Sequence, residues 1–230
     1  MDVLLADWGR LWGTAMQRFI ERQNIERFER LLSRERDQTR LRVLRSLLAE
    51  ARRRLAIYDS IAEGAYLNSS RRPALNPSGS ATNRRANAEF QRDFEASSKP
   101  HLLLDPRPGL HIVDINNAYG RATMTHRRAI AGERMFDVFP DNPGDPTADG
   151  VSNLFASLSR VVQTGRPQAM AIQRYDIREG SGVFVERYWQ PLNTPLFGEN
   201  GELVFLLHYV VDVTDEVIAA RSRPSSEAEL

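Results

Sequence analysis

A length of 230 residues allows one or two domains, and a hydrophobic fraction of 41% with 27% charged residues is ordinary for a globular chain. There is no cysteine, which excludes disulfides, thiolate metal sites and a cysteine nucleophile, and there is no apolar run of ~18 residues that would span a membrane. The net charge of +1 is unevenly spread: residues 1–60 carry 13 Arg against 9 acids and residues 100–230 carry 12 Arg against 17, so two units are expected.

The opening MDVLLADWGRLWG has an early acid and no basic leader, so it does not read as a signal peptide, and the expected location is the cytoplasm. Residues 1–62 read as a helical hairpin. In NIERFERLLSRE the apolar Ile25, Phe28, Leu31 and Leu32 recur at helical spacing. After a break around Arg34–Asp37, Asp37 can cap a second helix, on which Leu41, Leu44, Leu47, Leu48, Ala51, Leu55 and Tyr58 form one stripe. The Arg-rich faces are interleaved with acids, as in Glu26–Arg30, so they read as solvated surface and no nucleic-acid partner is expected. Residues 63–97 read as a flexible linker, GAYLNSSRRPALNPSGSATNRR, followed by a short cap helix with Phe90 and Phe94 on one face.

From residue 100 the period changes. HLLLDP and HIVDI are short strands around an RPG turn, and NNAYGRATMT and RRAIAGERMFDVFP are short helices broken by Gly132. DNPGDPTADG is a loop; its Asp141, Asp145 and Asp149 lack the calcium-loop pattern and read as a Pro-stiffened, capped turn. VSNLFASLSRVVQTG is a helix with Leu154, Leu158, Val161 and Val162 on one side and Gly165 as its stop. PQAMAIQRYDI, VFVERYWQPLNTPLF and LVFLLHYVVDV are three long strands joined at REGSG and GENG. The order β-β-α-α-α-β-β-β is that of an antiparallel α+β domain with its helices on one face.

At this point the residues resemble a known family. HIVDINNAYGRATM looks like the opening of a PAS domain, IAGERMFDVFP like its central helices, and PLFGENGELVFLLHYVVDVTDEV like its last hairpin and closing strand. There Asp-Ile/Val-Thr marks the exit into a signalling helix, here Asp212 and Thr214. The RYW-P-NTP strand is similar to PAS modules of bacterial sensor kinases, which implies a bacterial, two-component setting. The resemblance covers residues 98–218 and implies a PAS-like five-stranded antiparallel sheet with a ligand cavity on its helical side. It leaves residues 219–230 as a disordered tail.

The strand Val204–Val213 is apolar on both faces, with Phe205, Leu207, Tyr209 and Val211 on one and Val204, Leu206, His208, Val210 and Asp212 on the other. The resemblance turns Leu206, His208 and Val210 toward the cavity and leaves the outer face for the Phe90/Phe94 helix or a dimer mate. Trp189 and Asn193 share one alternation class of the preceding strand and Tyr175 can join them, which completes six pocket candidates. Ordinary core packing accounts for the same aromatic residues, and His208 reads first as a satisfied core histidine, then as a polar contact for a bound ligand, and last as a metal or haem ligand. Haem-binding members take their histidine from the helix that here runs Val151–Gln163 and contains none; light-sensing flavin members need a cysteine. Neither cofactor is expected, and a non-covalent small molecule is the open option. Asn116 reads as a helix cap and His126 as a surface turn residue.

No nucleophile elbow, phosphate loop or zinc-binding helix is present, and His208 and Asp212 lie four apart on a strand, ~13 Å, too far for one proton relay. An enzyme is not expected. Two readings remain. One is a sensor that binds a small ligand or partner and relays it through self-association or docking of its helices. It would work as a homodimer or with a separate protein such as a histidine kinase. The other is a constitutive interaction or dimerisation module whose cavity is filled by its own side chains.

Overall fold

The computed structural model describes residues 2–67, 88–198 and 201–222. Most of the expected linker (68–87) and the last eight residues of the expected tail (223–230) lie outside the described residues.

The chain begins with two long helices, α1 (Asp2–Leu32) and α2 (Gln38–Glu63). Their turn is knitted by two acids. Glu35 accepts the N–H groups of Arg36 (2.8 Å) and Asp37 (2.9 Å), and Asp37 caps α2 by accepting from Arg40 N–H at 2.8 Å. Arg18 ties the far end of the pair, donating to Asp59 at 2.5 Å and Glu63 at 2.6 Å. The predicted α2 stripe is only partly inward: Leu47 is exposed, while Ala49 and Ala56, outside that stripe, are buried. The reason is a second contact face, since α2 packs on α1 and also on the C-terminal domain.

α2 ends in a 3-10 turn, Gly64–Tyr66, in which Ala65 and Tyr66 are buried. These residues were expected to begin a flexible linker. Instead Ala65 N–H donates to Pro106 O (2.8 Å), and Gly109 N–H donates to Ser60 O (2.9 Å), which stitches the hairpin to the turn after β1. Gly64 adopts φ +60°, and a Cβ there would lie 2.2 Å from the Arg107 carbonyl oxygen, so only glycine fits this crossing.

The second unit starts with α3 (Ala88–Ala96), then β1 (His101–Leu104), β2 (Ile112–Ile115), α4 (Asn117–Thr123), α5 (Arg127–Ile130), α6 (Met135–Val138) and α7 (Gly150–Thr164). It closes with β3 (Gln168–Ala169), β4 (Gln173–Arg174), β5 (Ile177–Arg178), β6 (Phe184–Val185), β7 (Tyr188–Phe197), β8 (Leu203–Asp212) and α8 (Thr214–Ser222). One antiparallel sheet has the order β2-β1-β8-β7-β3, with β4 also paired to β7; β5 and β6 form a small hairpin. The expected strand 167–177 is therefore broken. Pro191 in β7 is the local cause. Its carbonyl accepts Met170 N–H at 2.9 Å, so its backbone faces the β3 side, where it has no N–H to return.

β8 carries a second irregularity. Its register with β7 shifts between Leu196 and Phe197, which leaves Val204 as an extra residue. Val204, expected on the helical side, packs with the outer cluster, and Leu203 packs with the inner core. The rest of β8 follows the expected alternation.

The outer face is covered by α3: Phe94 packs on Leu103 and Phe205, with Phe90 stacked on Phe94 at 5.9 Å. Asn116, almost wholly buried, locks this arrangement. Its Oδ1 accepts from His101 N–H (3.1 Å) and, as the cap of α4, from Tyr119 N–H (2.8 Å). Its Nδ2 donates to Phe94 O (3.1 Å) and Lys99 O (2.7 Å). The inner face meets α4–α7 in the main core, with Leu154, Leu158, Val161 and Val162 of α7 all buried and Gly165 ending that helix in the left-handed region.

Candidate functional site

Between the inner face of β7 and β8, helices α4 and α7 and the edge segment 170–177 lies a cavity of about 50 Å³. By the volume one water needs, that is room for roughly four waters, and it is about a third of the volume that takes up a benzene molecule. The sheet contributes Trp189, Pro191, His208 and Val210; α4 contributes Tyr119 and Thr123; α7 contributes Gly150 and Leu154. Met135, Phe139, Met170, Gln173, Tyr175 and Ile177 close the remaining walls. A Cβ on Gly150 would lie 2.2 Å from the Tyr175 ring, so the glycine lets the ring lie against the first turn of α7.

Of the six pocket candidates, His208, Trp189, Tyr175 and Val210 line this cavity. Leu206 sits in the adjoining core without reaching it. Asn193 lies behind His208, completely buried. The two are register partners on β7 and β8. Because Pro191 turns its backbone toward β3, Asn193 two residues on does the same, so Asn193–His208 is the closer, non-hydrogen-bonded type of pair.

That pairing fixes the imidazole. Asn193 Nδ2 donates to Ser157 Oγ of α7 (2.8 Å) and to Met170 Sδ (3.5 Å), so its Oδ1 is the acceptor of the 2.6 Å contact with His208 Nδ1. Nδ1 therefore carries the proton and Nε2 keeps a lone pair. Burial lowers the His208 pKa to about 4, so the ring is neutral at neutral pH. The Tyr119 ring stands edge-on to it at 6.3 Å, and burial raises the Tyr119 pKa, which keeps the phenol protonated.

The other polar groups of the wall are occupied. Trp189 Nε1 donates to Tyr175 O (2.8 Å) and Tyr175 Oη donates to Phe139 O (2.5 Å). Thr123 Oγ1 donates to Tyr119 O (2.8 Å). Gln173 accepts from Asn153 (2.8 Å) and donates to Ala171 O (3.1 Å). Tyr119 Oη and His208 Nε2 have no partner among the described residues, and neither is among the fully enclosed unpaired atoms, so each borders open space.

The helical hairpin reaches the cavity wall through α7. Arg53 donates from Nε to Asp141 Oδ2 (2.8 Å) and from Nη2 to Ala148 O (2.8 Å), while Asp141 Oδ1 accepts Val151 N–H (3.0 Å) at the start of α7. Burial is the largest influence on Asp141 and raises its pKa; the Arg53 hydrogen bond opposes it. The acids of this loop thus serve the fold. Asp145 accepts from Thr147 and pairs with Arg174 at 3.2 Å, and no cluster of metal-ligand side chains exists among the described residues.

At the other end of the sheet, Asp212 Oδ1 accepts from the N–H (3.0 Å) and the hydroxyl (2.5 Å) of Thr214, whose Oγ1 in turn accepts Tyr188 N–H at 3.0 Å. This corner fixes where α8 leaves the sheet. Residues 219–222, expected in a disordered tail, continue α8 because Arg221 lies over the Tyr188 ring at 4.7 Å and faces Glu186 at 3.4 Å.

Sequence reasoning missed Tyr119, Gly150 and Leu154 as cavity wall and Arg53 as the clasp. Tyr119 was legible in principle, since it stands three residues after the capping Asn116 and so on the first inward turn of α4. Nothing local pairs Arg53 with Asp141, 88 residues away.

No curated protein sequence matches the chain. A PAS domain from Colwellia psychrerythraea is 15% identical, with 55% of this chain and 96% of that one covered at a TM-score of 0.42. The PAS domain of nitrogen regulation protein NR(II) from Vibrio parahaemolyticus is 13% identical over 54% and 96%, TM-score 0.40. A LOV protein from Rhodobacter sphaeroides is 14% identical over 54% and 66%, TM-score 0.43. The family model for the PAS fold matches residues 94–218, more than half of the chain, and the protein belongs to that family of signal-sensing modules.

Proposed function

We propose that this protein is a sensor whose PAS domain takes a small non-covalent ligand in the cavity beneath α4 and α7 and relays occupancy through its helical hairpin. One observation carries the reading: α7 is shared. Its first turn and Leu154 form cavity wall, while its start is clasped by Arg53 through Asp141 and its body packs against α2 and the 3-10 turn. A guest that moves α7 changes what the hairpin packs on. The output is a changed association, either between two copies of the chain or with a separate signalling protein such as a histidine kinase, and involves no catalytic step. The proposed setting is the bacterial cytoplasm; no helix among the described residues is long and apolar enough to cross a membrane. Neither haem nor covalent flavin belongs to the reading, since ~50 Å³ is far below the 300–1,000 Å³ of typical cofactor sites and the chain has no cysteine.

Native mass spectrometry of the full-length protein tests it. A retained small molecule, with the hydrogen exchange of α2 amides changing when it is stripped, supports the relay. The small cavity favours a second reading, a constitutive interaction module. A bare-chain mass and α2 exchange indifferent to every added small molecule would establish that reading instead.

A further inference from the structure

We infer that two copies of the chain associate through the free side of the hairpin, antiparallel, as a four-helix bundle. The inference names the surface and the partner for the relay proposed above and rests on that reading for its role. Each hairpin helix carries a stripe at alternating four- and three-residue spacing, the spacing of a helix–helix seam. On α1 it is Ile20, Asn24, Arg27 and Leu31; on α2 it is Val43, Leu47, Glu50, Arg54, Ile57 and Ile61. The stripes form one face, because Arg54 pairs with Glu21 at 3.5 Å and Asn24 donates to the same carboxylate at 3.4 Å. Ile20, Leu31, Val43 and Leu47 are 41–55% exposed, and Ile57 and Ile61 are half-buried. Ala56 packs into the C-terminal domain, and at about 100° per residue Leu47 points to the opposite side of α2. One helix thus meets the domain on one side and offers the seam on the other, so a displaced α7 would turn the seam.

The face is self-complementary under a two-fold axis through its polar middle, as an interface between identical copies must be. On α2 the axis sets Glu50 against Arg54 of the second copy, Leu47 against its Ile57 and Val43 against its Ile61. On α1 it sets Ile20 against Leu31 and Asn24 against Arg27. Both centres lie at one level, flanked by the Glu21–Arg54 and Glu29–Arg52 bridges between the helices. A parallel arrangement would instead bring two tips together, each with Arg34, Arg36, Arg40 and Arg42 against Glu35 and Asp37. The α2 stripe spans roughly 27 Å and two helices are roughly 20 Å wide, so each copy offers about 550 Å². The total of about 1,100 Å² is just past the ~1,000 Å² that a specific interface needs, which fits a reversible dimer.

Sedimentation velocity of the full-length protein over a hundredfold range of concentration tests the association. It needs no small molecule, so its outcome is independent of whether the cavity takes a guest. A concentration-dependent dimer is expected. Leu47→Glu should weaken it at least about hundredfold, because two-fold symmetry buries two carboxylates, with helical content unchanged. Val183→Glu, on the exposed β5–β6 turn, should leave it intact. A monomer at every concentration, or a dimer indifferent to Leu47→Glu, would overturn the proposal and give the face to a different protein. Single cysteines in this cysteine-free chain test the direction, and stand even if Leu47→Glu fails to fold. A short bismaleimide should join Arg27→Cys, close to the axis, to its copy and should leave Val43→Cys unjoined, since the two tips lie roughly 27 Å apart. Equal joining of both would overturn the antiparallel arrangement.

Discussion

Arg53 on the second helix and Asp141 before α7 meet at 2.8 Å across 88 residues of sequence, and the carboxylate also caps α7. One side chain thereby fixes both the docking of the hairpin and the start of a cavity-lining helix. Arg53→Met should cost about 3 kcal/mol, because it leaves a buried carboxylate without its cation. Asp141→Asn keeps an oxygen for Val151 N–H and should cost less. Urea denaturation of both single variants and the double variant should return a coupling above about 1 kcal/mol. Additive losses would mean that the pair contributes nothing as a pair.

Gly64 is held at φ +60° against the Arg107 and Pro106 carbonyl oxygens. Gly64→Ala should destabilise by about 2 kcal/mol or more, since strain and a backbone clash act together. Faster hydrogen exchange at Ala65 and Gly109, whose amides make the stitch, is the expected local sign. An unchanged denaturation midpoint would show that the crossing opens at little cost.

His208 sets a pH dependence. Its folded pKa of about 4 lies below the ordinary value of 6.5, so between those values the unfolded chain binds a proton that the folded protein refuses. The stabilising effect is complete above pH 6.5 and is lost as pH falls toward 4, up to about 3 kcal/mol. A His208→Gln variant should lose correspondingly less stability between pH 7 and pH 4. Parallel losses in the two proteins would show that the imidazole is not buried neutral.

Thr214 joins Asp212 to the Tyr188 amide. Thr214→Val keeps the volume and removes the hydroxyl, stranding Tyr188 N–H, and should cost about 1–2 kcal/mol. Amide exchange in α8 should accelerate while that in α7 stays as it was. Equal acceleration in both would mean that the corner supports the whole domain rather than the exit helix.

Much of this was readable along the chain because it is local. Asp37 and Asn116 announce helix starts, Gly132 and Gly165 announce breaks, and the period-two pattern of β8 assigns His208 and Val210 to the inner face. What escaped was settled by a partner far away in sequence. The strand after α7 is interrupted by a proline of β7, Ala56 is buried outside the expected stripe because α2 serves two neighbours, and Val204 changes face through a register shift that alternation cannot express. The cavity shows the same division. Its strand residues followed from alternation, whereas Gly150 and Leu154 belong to it only because α7 crosses the sheet at that point.

Pro191 has one more effect. The edge it faces consists of two-residue strands separated by residues 170–172, so this side of the sheet offers no long row of free amides and carbonyls. A second chain cannot zip onto it as an added strand. That border of the sheet is thereby a poor template for pairing with another chain.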